Sequence, residues 1–451
     1  MTAPLLSFFG DDFTGSTDAL ELLATAGLRT KLFTRVPTAA EVAGLDAYGV
    51  AGETRAMRAD ALERTLRDVL PKLAALPARL VHYKVCSTFD SSPDVGSIGR
   101  AIDVAFDVFR PRYVPVVAAA PSLGRYSAFG HLFARYGGDG QVFRLDRHPS
   151  ISRHPVTPMI EADIGVHLSQ QTARPLKLLD FRHFDGPEAE SFRLLQGHDG
   201  AAVLFDLLRE ADLPRLGAML DRPDAARFVV GSSGVESALL TWWAQTSLTP
   251  ALSHGSARVS ETRSSSDDTT RPGPSKAQAD NRPILVVCGS CSPVSAAQVR
   301  HAVEQGAAET VIDVTAPAAA HIASDAARPL RTGQSVVVHT AGCDERRGVD
   351  RGAIGRLVGD VTRRVLSDVR VSRVVVAGGD TSGAIARALD IASLEMAAPL
   401  VRGAPIVRAA APGSPADGVE FVFKGGQVGA ADFFVQAGAA ESPSPAGRGS
   451  G

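Results

Sequence analysis

The chain has 451 residues, 45% of them hydrophobic and 21% charged, with 47 Lys and Arg against 49 Asp and Glu for a formal net charge of −2. That length asks for two or three domains, and the near balance of charge gives no support to a nucleic-acid or anionic-membrane partner. No apolar run nears the roughly 18 residues a membrane span needs, the start MTAPLLSFFGDDFTG lacks a basic n-region, and four cysteines do not make a disulfide framework, so a reducing cytoplasm is the expected setting.

Short apolar runs alternate with amphipathic stretches along the chain. The first strand candidates are 5–9, 30–33, 47–52, 79–85, 113–120, 201–205 and 227–231, with helical periodicity between them, as in 59–76 and 98–109. From Ser253 to Arg282 nearly every residue is Ser, Thr, Asp, Arg, Pro, Gly or an isolated small apolar one. Such a segment buries too little surface to offset its ordering entropy and reads as a disordered linker. Beyond it PILVVCG, TVIDV, SVVVHT, RVVVAGG and EFVFKGG read as strands, with helices near 294–304, 352–366 and 382–390. The expected division is an N-terminal domain over 1–252, a linker over 253–282, a C-terminal domain over 283–438 and a flexible tail over 439–451. Strands that are apolar on both faces and alternate with helices imply an α/β fold. Each of the two domains is expected to hold a parallel or mostly parallel sheet flanked by helices, with a ligand cleft between the domains. Ligands on such sheets sit at the carboxyl ends of strands, and the chemistry is sought there.

GDDFTGSTDAL sets Asp11, Asp12, Thr14, Gly15, Ser16 and Asp18 directly after the first strand. Adjacent carboxylates at that position serve as helix caps, ligands or proton acceptors, and their density beside Thr14 suits a polyhydroxylated ligand. GETR (52–55) ends in Arg55, and KVCSTFDSSP (84–93) carries Lys84, Ser87, Thr88, Asp90, Ser91 and Ser92. APSLGRYSAFGH (120–131) carries Ser122, Arg125 and His131, and 147–172 holds His148, Arg153, His154 and Asp163. Arg and Lys match a carboxylate in geometry and charge, whereas histidines in such loops are more often merely solvated. Three or more of these groups are expected to face one ligand.

VVVAGGDTSGAIARAL (374–389) is a β-branched run, a glycine turn and a helix. Gly378, Gly379 and Gly383 let a ligand approach the backbone, Thr381 and Ser382 offer hydroxyls, and the helix start points free N–H groups at an anion. Gly289, Ser290 and Ser292 follow another strand, and Lys424, Gly425, Gly426 and Gly429 a third. Three such loops in one small parallel domain suggest a nucleotide cradle. Neither G-x-G-x-x-G nor G-x-x-x-x-G-K-[ST] occurs there, which argues against a dinucleotide-dependent dehydrogenase. Cys288 and Cys291 lack a second ligand pair for zinc and a thioredoxin-like surround, so they read as two small buried thiols, and no protein metal site is expected.

In order and spacing, GDDFTGSTDAL, GETR, TPMIEAD, GSCSPVSAAQ, GGDTSGAIARAL and KGGQVGAADFF resemble the motif series of the four-carbon acid sugar kinase family, from about residue 6 to 436. The resemblance implies an N-terminal acid-sugar domain, a C-terminal ATP domain and phosphoryl transfer across the cleft between them. It carries acid-sugar binding onto Asp11, Asp12, Arg55 and Lys84. It carries ATP binding onto Ser290 or Ser292, onto Gly378, Gly379, Asp380 and Thr381, and onto Gly425 or Gly426, with Mg²⁺ bridging the phosphates. Asp12 is the first candidate and Asp11 the second for accepting the hydroxyl proton. One motif departs: members commonly read K-x-D-S-T-x-R-G-N where this chain has KVCSTFDSSPDVGSIG, with Cys86 in the aspartate position. That version is similar to the branch that includes 3-oxo-isoapionate kinase, which implies 3-oxo-isoapionate as substrate and a 4-phosphate product. The alternatives are 3-oxo-tetronate, D-threonate or D-erythronate, and a non-catalytic acid-sugar sensor is the reading from a different class. An acid sugar and ATP are the expected partners, with a homo-oligomer allowed.

Overall fold

A computed structural model describes residues 3–136, 140–153, 157–222, 227–246, 283–314, 318–340 and 351–442. The expected linker, His154 and the tail beyond 442 lie outside the described residues.

The N-terminal strands are β1 (Leu6–Gly10), β2 (Thr30–Phe33), β3 (Ala47–Ala51), β4 (Leu80–Lys84) and β5 (Val114–Val117). A small antiparallel sheet follows, made of β6 (Arg125–Ala128), β7 (His131–Tyr136) and β8 (Gln141–Arg144), and then β9 (Leu176–Leu179), β10 (Ala202–Phe205) and β11 (Phe228–Gly231). The C-terminal strands are β12 (Ile284–Cys288), β13 (Ala308–Ile312), β14 (Val336–Thr340), β15 (Arg373–Ala377), β16 (Ser393–Val401), β17 (Ala404–Ala410) and β18 (Glu420–Lys424). The N-terminal order β2-β3-β1-β4-β11-β5-β10-β9 is parallel throughout, as is β13-β14-β12-β15-β18. Their apolar runs are buried on both faces: Leu6, Phe8, Val81, Val229, Val338 and Val375 are all inaccessible to solvent. Asp12, Ser97 and Ser292 cap the helices Phe13–Thr25, Ile98–Phe109 and Pro293–Glu304 by accepting first-turn N–H groups, as their short polar side chains favour.

Both sheets change winding direction at one strand. From β1 the chain crosses out to β2, comes back to β3 beside β1, and then passes to β4 on the other side of β1. In the C-terminal half β12 stands in the same way between β14 and β15. Such switch points open crevices at the carboxyl ends of the strands, and the DDFTG and glycine loops lie there.

The expectation of two separate sheets needs an addition. All these strands except β6–β8 form one 15-stranded mixed sheet, because the antiparallel hairpin β16–β17 joins β18 to β2. The seam is short, pairing Ser393 with Phe33 and Leu394 with Leu32. Three successive antiparallel pairings make the two parallel blocks run in opposite directions.

Candidate active site

At the end of β1, Asp11 is almost fully buried, and its Oδ1 has no hydrogen-bond partner. Burial first, and then the neighbouring Asp12, push its carboxyl up to about 8, against the pull of Arg55 and Lys84. Asp12 is fully engaged: Oδ1 accepts from Gly15 N and from the Thr14 hydroxyl (3.3 Å), while Oδ2 receives Arg55 Nη1 at 2.8 Å. Arg55 also grips Asp90 through Nε (3.1 Å) and Nη2 (2.7 and 2.8 Å). Asp90 further accepts from Thr88 and from Thr157 (2.8 Å). Burial works against its ionisation, yet Arg55 and these donors hold the Asp90 carboxyl below the usual range.

Lys84 ends β4 and is 2% exposed, with Nζ 3.6 Å from Asp18 Oδ2 and 3.3 Å from the Val85 carbonyl. Burial would discharge this ammonium, but Asp18 and Glu236 outweigh it and raise its pKa. Glu236 is itself buried and bonded to His82 Nδ1 at 3.0 Å. Arg125 donates to the Leu123 carbonyl (2.6 Å), while its buried Nε is unpartnered and burial lowers its pKa. The Cys86 thiol, half-buried, accepts from Thr88 (3.0 Å) and lies within electrostatic reach of Arg55, Lys84 and Arg125. Phe89 in this loop has φ +55°, strained for a bulky residue and held by its full burial.

In the C-terminal half the three glycine loops converge. A Cβ on Gly289 would overlap the Thr381 hydroxyl, and one on Gly426 would overlap that of Ser290. Gly378 has φ +118°, which only glycine adopts readily, and its N–H donates to the Lys424 carbonyl at 2.9 Å. The helix Gly379–Ala388 starts there with Asp380 exposed in its first turn. Lys424 is fully buried beneath the loops, 3.3 Å from Ser295 Oγ, and burial lowers its pKa to about 8.

The two halves meet at these loops. A Cβ at Gly379 would stand 3.6 Å from Thr14 Oγ1, so the start of one helix abuts the start of the other. Phe13 packs edge-on against Phe423 at 4.8 Å between centroids, and Arg387 pairs with Glu53, two residues before Arg55. Behind that pair a cleft of about 760 Å³ is lined by Phe9, Val36, Met57 and Ala386, among others. None of Asp11, Asp12, Arg55 or Lys84 lines it.

Comparison with known proteins matches each half of the chain to a family model. A family model described as a sugar-binding N-terminal domain matches residues 6–239, and one described as a nucleotide-binding C-terminal domain matches 285–434. A 3-oxo-isoapionate kinase of Paraburkholderia graminis is 40% identical, over 95% of this chain and 93% of its own length. The chain belongs to the four-carbon acid sugar kinase family. A 3-oxo-tetronate kinase of Pseudomonas fluorescens is 31% identical, over 96% of each chain. The crystal structure of a Salmonella typhimurium LT2 protein, 24% identical, shares the fold with a TM-score of 0.72 over 96% of this chain and 98% of that one.

For this family member, the residues singled out in the sequence gather into two clusters. Asp11, Asp12, Arg55, Lys84, Thr88 and Asp90 join through the contacts above, with Ser87 half-buried on the same loop and Arg125 across from Cys86. Ser290, Gly378, Thr381 and Gly426 touch one another, and Gly425 adjoins them. Ser292 caps its helix through Val294 N (3.1 Å), and Gly383 lies one turn down, against Glu53. Other candidates are structural. His148 is buried between Tyr136 and Phe143, while Asp163 caps the helix Ile164–Ser169. Cys288 is buried as expected, but Cys291 is exposed and disulfide-bonded, contrary to the reading of two buried thiols. Thr157 and Glu53 were not singled out as site residues, although each lies inside a quoted motif, while Asp18, noted in the first motif, proves to be the carboxylate facing Lys84. Glu236 and His82 carry no sequence signal, because their pairing spans 154 residues. Among the described residues no helix is long and apolar enough to cross a membrane.

Proposed function

We propose that this kinase transfers the terminal phosphoryl group of ATP to a hydroxyl of 3-oxo-isoapionate, giving a 4-phosphate. The observation that carries the reading is the abutment of Thr14 and Gly379: an acid-sugar cluster and a helix start suited to phosphate lie side by side. The acid sugar's carboxylate goes to Lys84 and Arg125, which are less tightly paired than Arg55. Arg55 is held by Asp12 and Asp90 and organises the loops around them. ATP lies on Ser290, the Gly378–Thr381 turn and Gly425–Gly426.

Among the described residues no three His, Cys, Asp or Glu side chains converge as a metal site. Mg²⁺ in such sites is held mainly by phosphate oxygens and water with one or two carboxylates, and Asp380 is an exposed carboxylate at the phosphate turn that would supply one. When bound, the ion neutralises phosphate charge, and the protein contributes position and proton transfer. The acceptor oxygen forms the new bond to phosphorus as the bond to ADP breaks, and its proton passes to a carboxylate. Asp11 suits that role ahead of Asp12, because Oδ1 is unbonded and a carboxyl near 8 is a competent base at neutral pH.

The test is ADP release with ATP and Mg²⁺ across straight and branched sugar acids and their 3-oxo forms. Cys86 replaces a carboxylate that would bind a hydroxyl, and one unmatched hydroxyl costs about 1–3 kcal/mol. The expected result is at least about a tenfold preference in kcat/KM for 3-oxo-isoapionate over 3-oxo-tetronates. Equal rates would remove the substrate assignment. No release with any acid sugar would remove the kinase reading as well.

A further inference from the structure

The hairpin β16–β17 does more than join the sheets. Its seam with β2 ends at Leu394, and the remaining residues of β16 carry the turn Arg402–Gly403 out over the N-terminal half. There the turn makes two polar contacts. Gly403 N donates to Glu21 Oε2 at 2.7 Å, and Arg402 donates to the Ser122 carbonyl (3.1 Å) and hydroxyl (2.6 Å).

Each contact leads, through one intervening residue, to one of the two loosely paired cations. Glu21 lies one helical turn from Asp18, whose carboxylate accepts from Ser233 and faces Lys84 at 3.6 Å. Gly403 stands close to Asp18 as well, since a Cβ there would lie 4.0 Å from Asp18 Oδ1. On the other side, Ser122 belongs to the tight turn Pro121–Leu123, whose Leu123 carbonyl receives Arg125 Nη1 at 2.6 Å. The hairpin tip therefore braces the supports of Lys84 and of Arg125 together, from the half of the chain that holds the nucleotide loops.

We infer that Arg402 is a substrate-positioning residue of the acid-sugar site, holding the Ser122–Arg125 turn in place so that Lys84 and Arg125 converge on one carboxylate. This inference rests on the acid-sugar kinase reading. Arg402 is exposed, and besides the Ser122 turn it lies within electrostatic reach of Glu21, so its loss leaves the core intact. A long guanidinium with two donors on one serine also suits a brace that engages as the halves close.

The experiment compares wild type, Arg402→Ala and Arg402→Lys in two series: acid sugar varied at saturating ATP, and ATP varied at saturating acid sugar, with thermal melting of each protein. Arg402→Ala is expected to raise the acid-sugar KM about tenfold, consistent with loss of a charge-assisted contact. The ATP KM should stay within twofold and the melting temperature should hold, and Arg402→Lys should recover part of the sugar KM. An unchanged sugar KM overturns the inference, as does an equal rise in both KM values or a change seen only in melting. A wild type inactive on every acid sugar overturns the kinase reading and this inference with it, whereas an active wild type with an indifferent Arg402→Ala overturns the inference alone.

Discussion

At Asp11 the carboxyl is buried with one oxygen unbonded, whereas Asp12, one residue on, engages both oxygens with Gly15, Thr14 and Arg55. Sequence reading found both, since a carboxylate pair after a strand is conspicuous, but it ranked Asp12 first. It had no means to see that Arg55 binds Asp12 while Asp11 keeps one oxygen without a partner. That environment has a consequence in pH. Burial raises the folded-state pKa of Asp11 from the usual carboxylate range to about 8. Through that window the folded chain keeps a proton that the unfolded chain has released, so the contribution of Asp11 to stability is greatest in acid and falls as pH rises to about 8. Asp11→Asn is expected to flatten that slope in denaturant titrations run from pH 5 to pH 9. The same group acting as base gives the opposite trend in activity. kcat/KM should climb with an apparent pKa near 8, and Asp11→Asn should cost about 10²–10⁴ in kcat. An Asp11→Asn enzyme with near wild-type turnover would return the role to Asp12.

At the scale of elements, the strand–turn–helix units were legible because their signals are local: a β-branched run, glycines, then helical spacing. Their convergence was legible only as an expectation, since it depends on β12 and β15 lying side by side with Gly289 against Thr381. Two neighbouring glycines in the phosphate turn now separate by mechanism. Gly378 sits at φ +118°, so Gly378→Ala should lower the melting temperature through backbone strain. Gly379 is helical, and a Cβ there meets only Thr14 at 3.6 Å, so Gly379→Val should fold normally. Its γ-methyl groups would fill the gap between the two helix starts. The expected result is an ATP KM raised about tenfold or more, with acid-sugar binding preserved in calorimetry. Unchanged ATP kinetics would reduce the turn to a simple connection.

For the molecule as a whole, the alternation of strands and helices announced two α/β units but not the hairpin that fuses them. EMAAPLV is rich in small residues and carries Pro399, which argues against a strand inside a sheet. β16 accommodates it through register shifts between Met396 and Ala398 and between Ala398 and Val401. The strands β6–β9 escaped because they are partly exposed rather than continuously apolar, β9 at the sheet's edge. Fusion makes a claim about cooperativity. Leu394 and Leu32, paired across the seam, are both fully buried, and Phe13 of the N-terminal half packs on Phe423 of the C-terminal half. If the 15-stranded sheet unfolds as a unit, calorimetry of the wild type should show one transition. Leu394→Ala should then lower that transition as a whole, by several degrees, for a core truncation costing about 2–5 kcal/mol. Two resolved transitions, with only the C-terminal one moved by Leu394→Ala, would show instead that the seam is a contact between independently folding domains. In that case the hairpin would be a hinge, and the bracing of Lys84 and Arg125 by its tip would form only as the cleft closes.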